Sequence, residues 1–166
     1  KLHINQTAAM QSILISMTRG YVWHTSGEIK TEKAHLLVEK FNDRYGILKA
    51  KLSLERRATR ASRKAARDGL PHQRHSASFV IHPVVGGDKM RWVLLGTGPL
   101  EGEDMKNGLL PNQRLLWGKY QLYQMPRNEG RAVGWSWRLT REENNLLQEL
   151  QRKYHNMYSC SEIASN

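Results

Sequence analysis

The sequence predicts an α+β fold: a mainly antiparallel sheet of about four strands, drawn from two β-hairpins and packed by about four helices. Two stretches rich in β-formers each turn back on themselves through Gly-containing segments. Several other stretches repeat apolar residues at helical spacing and end in cap signals. Hydrophobic residues make up 39% and charged residues 25% of the 166-residue chain, the usage of an ordinary globular protein. A single domain of this size buries roughly 70% of its unfolded surface, so it needs no disulfide or metal staple.

Asn5 to Thr18 reads as the first helix, with Ala9, Met10, Ile13, Leu14 and Met17 on its stripe and Gly20 closing it. Tyr21-Val22-Trp23-His24 is a short strand-like run. Thr31 to Tyr45 is a helix with Ala34, Leu37, Val38, Phe41 and Tyr45 on one face, and Gly46 suits a left-handed cap. Ser53 to Asp68 is a third helix, stopped by Asp68-Gly69-Leu70-Pro71. The first hairpin runs from Ser76 to Val85, turns at Gly86-Gly87-Asp88-Lys89 and returns from Met90 to Leu95, with Pro83 bending the strand or marking an edge.

Gly96 to Arg114 is loop-like, with Gly, Pro and Asn spread throughout and room for one short helical turn. Leu116 to Met125 then pairs with Arg131 to Leu139 across Pro126-Arg127-Asn128-Glu129-Gly130. Val133, Trp135, Trp137 and Leu139 alternate onto one face. Thr140-Arg141-Glu142-Glu143 is a capping box that opens a last helix, whose stripe is Leu146, Leu147, Leu150 and Tyr154. No repeat or linker divides the chain, so residues 1–158 read as one basic α+β domain and 159–166 as a frayed tail. The chain begins with Lys1 rather than Met, which leaves open whether residues precede it.

Charge sets the function class. Lys and Arg number 26 against 15 Asp and Glu, a net charge of +11 and a pI near 10.0. Such an excess attracts polyanions: nucleic acid first, an acidic membrane surface second, an acidic protein third. Cys160 is the only cysteine, so an intrachain disulfide is excluded and a reducing compartment is favoured. No run approaches the roughly 18–20 apolar residues of a membrane span, and nothing reads as a signal peptide, so a cytoplasmic protein is expected.

The third helix carries the charge. At about 100° per residue, Arg56, Arg57, Arg60, Arg63, Lys64 and Arg67 share an arc of about 120°, opposite Leu54, Ala58, Ala61 and Ala65. Like charges at these spacings each cost a few tenths of a kcal/mol, so the stripe opposes its own helix unless an anion relieves it. Five of the six are Arg, whose planar fork matches phosphate bidentately. The small Ala face argues against an interfacial membrane helix, and no membrane partner is expected. Lys51 and Arg74 extend the patch, and Arg127, Arg131 and Arg138 around the second hairpin could lengthen a phosphate track.

The expected function is therefore binding of a nucleic-acid backbone, duplex DNA favoured over RNA, as an accessory factor without catalysis. The expected site is Lys51, Arg56, Arg57, Arg60, Arg63, Lys64, Arg67, Arg74, Arg127 and Arg131. Protein partners in a nucleoprotein complex fit the same reading. The alternative is a small nuclease. His72, His75 and His82 could act as acid and base on a phosphodiester, or Glu101, Glu103 and Asp104 could hold Mg²⁺. Neither set is complete: no cysteine or acid adjoins His72-x-x-His75, so no metal or cofactor is expected. Gly96-x-Gly98 lacks the residues of a phosphate loop and reads as turn glycines. Trp92, Trp117, Trp135, Trp137, Tyr120 and Tyr123 could stack on bases but read first as core.

Overall fold

The computed structural model of the chain describes residues 2–3, 5–48, 75–125 and 134–163, with side chains through 155. The architecture is α+β. Its contacts group into two compact units, Lys1–Leu115 and Leu116–Asn166, and each unit has its own sheet. The two hairpins thus build two sheets rather than one. Ser53–Asp68, the expected third helix, lies outside the described residues.

In the first unit, α1 (Gln6–Thr18) begins where Asn5 accepts a hydrogen bond from the Ala8 amide on its side-chain oxygen, 2.8 Å away. That bond satisfies one of the amides a helix start leaves orphaned. Strand β1 spans Trp23–Lys30, twice the length of the expected run. A 3-10 turn at Thr31–Lys33 leads into α2 (Ala34–Tyr45), closed by Gly46 in the left-handed conformation. Strands β2 (Ala77–Pro83) and β3 (Lys89–Gly96) form the expected hairpin. The loop-like stretch contains the expected short helical turn, a 3-10 turn at Pro111–Gln113, and also the two-residue β4 (Lys106–Asn107).

The sheet order is β2-β3-β1-β4, every neighbour antiparallel. Outside β2, Leu2 bridges Ile81 and the His3 amide donates to the Ile81 carbonyl at 3.0 Å, so the N-terminal segment occupies that edge.

Register assigns the faces. Phe79 and Ile81, Met90, Trp92 and Leu94, and Gly27 and Ile29 share one face, which α2 covers. Phe41 lies at its centre, fully buried, with ring centroids 5.4 Å from Phe79 and 5.5 Å from Trp92. On the other face α1 packs against β2, and Ser16 meets Ser78 with their hydroxyl oxygens 3.4 Å apart. The sheet is a middle layer between two helices.

In the second unit, the strand expected over Leu116–Met125 is interrupted. Gly118, at φ 63°, turns the chain between β5 (Leu116–Trp117) and β6 (Tyr120–Met125), and these pair with each other. Strand β7 (Gly134–Leu139) pairs with β6 on its other side. Trp117, Tyr120, Leu122, Trp135, Trp137 and Leu139 share a face; Trp117 and Leu122 are buried, whereas Trp135 and Trp137 are only half-buried.

The last helix, α3, spans Arg141–Ile163 and so continues past the polar residues that suggest fraying. The capping box is only half made. The Glu143 amide lies a long 3.5 Å from the Thr140 hydroxyl. The Thr140 amide donates to the Lys119 carbonyl instead, and the Glu143 carboxylate pairs with Lys119 at 3.2 Å. The expected core stripe of α3 is not covered: Leu146, Leu147, Leu150 and Tyr154 are 50, 45, 43 and 59% exposed.

Candidate nucleic-acid interface

The ten residues expected to contact phosphate lie outside the described residues: Lys51, Arg56, Arg57, Arg60, Arg63, Lys64, Arg67 and Arg74 between Leu48 and His75, and Arg127 and Arg131 between Met125 and Gly134. What the structure does describe is the frame that these two segments leave and rejoin.

Both ends of the longer segment meet one loop, residues 97–104. On the outgoing side, the Tyr45 hydroxyl donates to the Glu101 carbonyl at 2.6 Å. Glu103 accepts Lys40 at 2.8 Å and Arg44 at 3.3 Å. The Asn42 side chain accepts the Leu48 amide at 3.2 Å, which fixes the chain where it departs from α2. On the returning side, the Ser76 amide donates to the Thr97 hydroxyl at 2.9 Å and the Thr97 amide to the Ser76 carbonyl at 3.0 Å.

His75 rests its imidazole directly on Gly98, where a Cβ would clash with the ring. Gly96 is constrained differently: its Cβ would sit 2.5 Å from the Gly98 carbonyl oxygen. Gly96-x-Gly98 is thus a packing requirement, one glycine for backbone and the other for a histidine. Sequence reading missed this clasp because its contacts join residues far apart in the chain, 21 positions for Ser76 and Thr97 and 56 for Tyr45 and Glu101; the one local signal was the Gly-x-Gly spacing itself.

Charge is partitioned sharply between frame and segments. The described residues hold fourteen Lys and Arg against twelve Asp and Glu. The remaining stretches hold twelve against three, and nine of those twelve fall within residues 49–74. Several cations of the frame are also engaged. Arg91 donates to Glu28 from Nη2 at 2.7 Å and from Nε at 3.2 Å, which lowers the Glu28 carboxyl below its ordinary value. Arg138 donates to Gln121 from Nη2 at 3.0 Å and lies 5.3 Å from the Tyr123 ring centroid.

The nuclease constellations are spread over the frame. His75 precedes β2 and His82 sits at its far end, so the strand's rise of roughly 3.3 Å per residue holds them about 20 Å apart. That is too far for one phosphodiester to receive both. His72 lies outside the described residues. Glu103 is occupied by Lys40 and Arg44, an ion-paired anchor rather than a solvated tip. Among the described residues, no three His, Cys, Asp or Glu side chains group as metal ligands.

Two histidines are buried in the first unit. His24 lies 2.8 Å from the Gln113 carbonyl through Nε2, so that nitrogen carries the proton, and burial lowers its pKa. His82 stands in register beside Arg91; burial first, then Arg91 and His3, lower its pKa. Both are neutral at pH 7.

The chain matches no protein-family model, no curated protein and no solved structure. The functional reading therefore rests on the residues alone.

Proposed function

We propose that the chain is a nucleic-acid-binding protein, duplex DNA favoured over RNA, which grips the phosphate backbone through Arg56, Arg57, Arg60, Arg63, Lys64 and Arg67. Lys51, Arg74, Arg127 and Arg131 supplement that contact, and the protein acts as an accessory factor within a nucleoprotein complex rather than as a catalyst. The observation that carries the reading is the charge partition: a nearly balanced frame with a dense cationic segment between residues 49 and 74. A surface basic throughout would point to colloidal solubility. Charge concentrated between two tethered ends points to one polyanion docking at one place. The contacts at Gly98 and Glu103 support this, because they hold the flanking α2 and the start of β2 against one loop, so the segment's ends are brought together by the fold and not by docking.

The test is a titration of duplex DNA, single-stranded DNA and structured RNA at two salt concentrations. Six phosphate contacts give a slope of log K on log salt of about −5 on duplex DNA as an upper bound. Arg60→Glu with Arg63→Glu should abolish binding while the circular dichroism spectrum is unchanged. Unaltered affinity in that variant would remove the segment from the site. Cleavage of labelled nucleic acid that disappears in His75→Ala or Asp104→Ala would replace the binding reading with a nuclease.

A further inference from the structure

We propose that α3 pairs antiparallel with α3 of a second copy of this chain, through the stripe Leu146, Leu147, Leu150 and Tyr154. Side chains of α3 are described from Arg141 to His155, and over that span every residue is exposed except Glu143. The stripe residues are 43 to 59% exposed. Yet the helix spans 23 residues, and a helix in water depends on burying an apolar face more than on propensity. On the wheel, Leu146, Leu147, Leu150 and Tyr154 fall within an arc of about 100°. That is the width of a face meant to be covered.

The charges beside the stripe select the occupant. Glu142 and Glu149 flank one edge in the first half of the helix, and Lys153 flanks the same edge further on, with Arg152 behind it. The helix dipole does not account for this order. Its influence fades within the first and last turns, and Glu149, Arg152 and Lys153 are interior. A parallel pair would set this charged edge against the other edge of the stripe, where Asn144 and Gln151 stand, and would leave Lys153 without a carboxylate. An antiparallel pair with Leu147 opposite Leu150 of the second copy sets Lys153 between Glu142 and Glu149 of that copy, and does so twice. The face is complementary to itself, as a two-fold interface must be.

Size sets the strength. A specific interface needs roughly 1,000 Å² in total. Four half-exposed large side chains on each copy, with their polar flanks, reach only the bottom of that range. The pair therefore dissociates on dilution. Dimerisation would also present two basic segments to one polyanion, which raises avidity without any new contact.

Sedimentation equilibrium of the full chain over a wide concentration range should show a monomer–dimer equilibrium. Leu147→Glu with Leu150→Glu should leave a monomer of unchanged helicity, since both positions face solvent in the single copy. Lys153→Glu should weaken the dimer at least tenfold, and adding Glu142→Lys should restore most of the loss. Cys160 tests the direction. The antiparallel pair holds the two Cys160 positions roughly 35 Å apart along the axis, whereas a parallel pair places them at the same level. A wild-type monomer at the highest concentration, a dimer indifferent to the leucine substitutions, or a disulfide-linked dimer formed through Cys160 on mild oxidation would each overturn the proposal.

Discussion

Gly96 and Gly98 stand two residues apart yet have different physics, and substitution should separate them. At Gly98 the obstacle is the His75 ring, a side chain. Gly98→Ala should destabilise the fold by about 1–3 kcal/mol, the range for overpacking, and His75→Ala in the same chain should recover much of that loss. At Gly96 the obstacle is the Gly98 carbonyl oxygen, which is backbone. Gly96→Ala should cost as much or more and gain nothing from His75→Ala. Urea denaturation of the four variants forms the double-mutant cycle. The buried histidines make a second residue-scale prediction. His24 and His82 both titrate below the ordinary 6.5 in the folded chain, chiefly through burial. The unfolded chain then binds more protons, so their stabilising effect is fully present above about pH 6.5 and is lost as pH falls toward the lowered folded values. Midpoint denaturant concentration should decline from pH 7 to pH 5, and His82→Gln should flatten that decline. A flat wild-type profile would show that neither group is held neutral.

At the scale of elements, the loop after β3 earns its place by tying α2 to the sheet. Glu103 is only 12% exposed, while its partners Lys40 and Arg44 are 42 and 50% exposed. Exposed pairs contribute about 0.2–1 kcal/mol each and are weakened by salt. Glu103→Gln should therefore cost about 1 kcal/mol in low salt and less at 1 M, read from paired denaturation curves. Residues 97–104 also hold both ends of the basic segment, so the same variant should weaken DNA binding modestly at matched ionic strength. An effect on binding without an effect on stability would mean that Glu103 acts on the polyanion directly. Strand β1 shows a different elemental logic. Its last six residues, Thr25-Ser26-Gly27-Glu28-Ile29-Lys30, are mostly polar and include a glycine, which lowers strand propensity. Gly27 gives room to the Trp92 ring, which lies across it 3.1 Å from where a Cβ would stand.

At the scale of the whole molecule, a nearly neutral frame carries a basic insertion between α2 and β2. Replacing residues 49–74 by a Gly/Ser linker of about ten residues, a flexible coil reaching about 16–19 Å, should leave both sheets folded. It should also remove seven of the eleven excess charges. Binding to DNA should fall to the background of a weakly basic protein, with elution from a cation exchanger at much lower salt. Retained affinity would assign the contact to the frame.

The chain by itself determined the α+β class, the first hairpin and the helices α1, α2 and α3, since apolar spacing, cap residues and turn glycines are local properties. It also determined where the charge lies. Only the tertiary structure decided that the hairpins build two sheets, that Gly118 divides Leu116–Met125, and that Glu28 and Arg91 lie in register on one face. It alone brought Glu103 to Lys40 and Arg44, and His75 onto Gly98. It also left the α3 stripe open, although that stripe reads like any core-facing one. The physical reason is separation along the chain. A repeat of apolar residues shows that a face wants cover, and a cation shows that it wants an anion, but which partner arrives depends on contacts between residues dozens of positions apart.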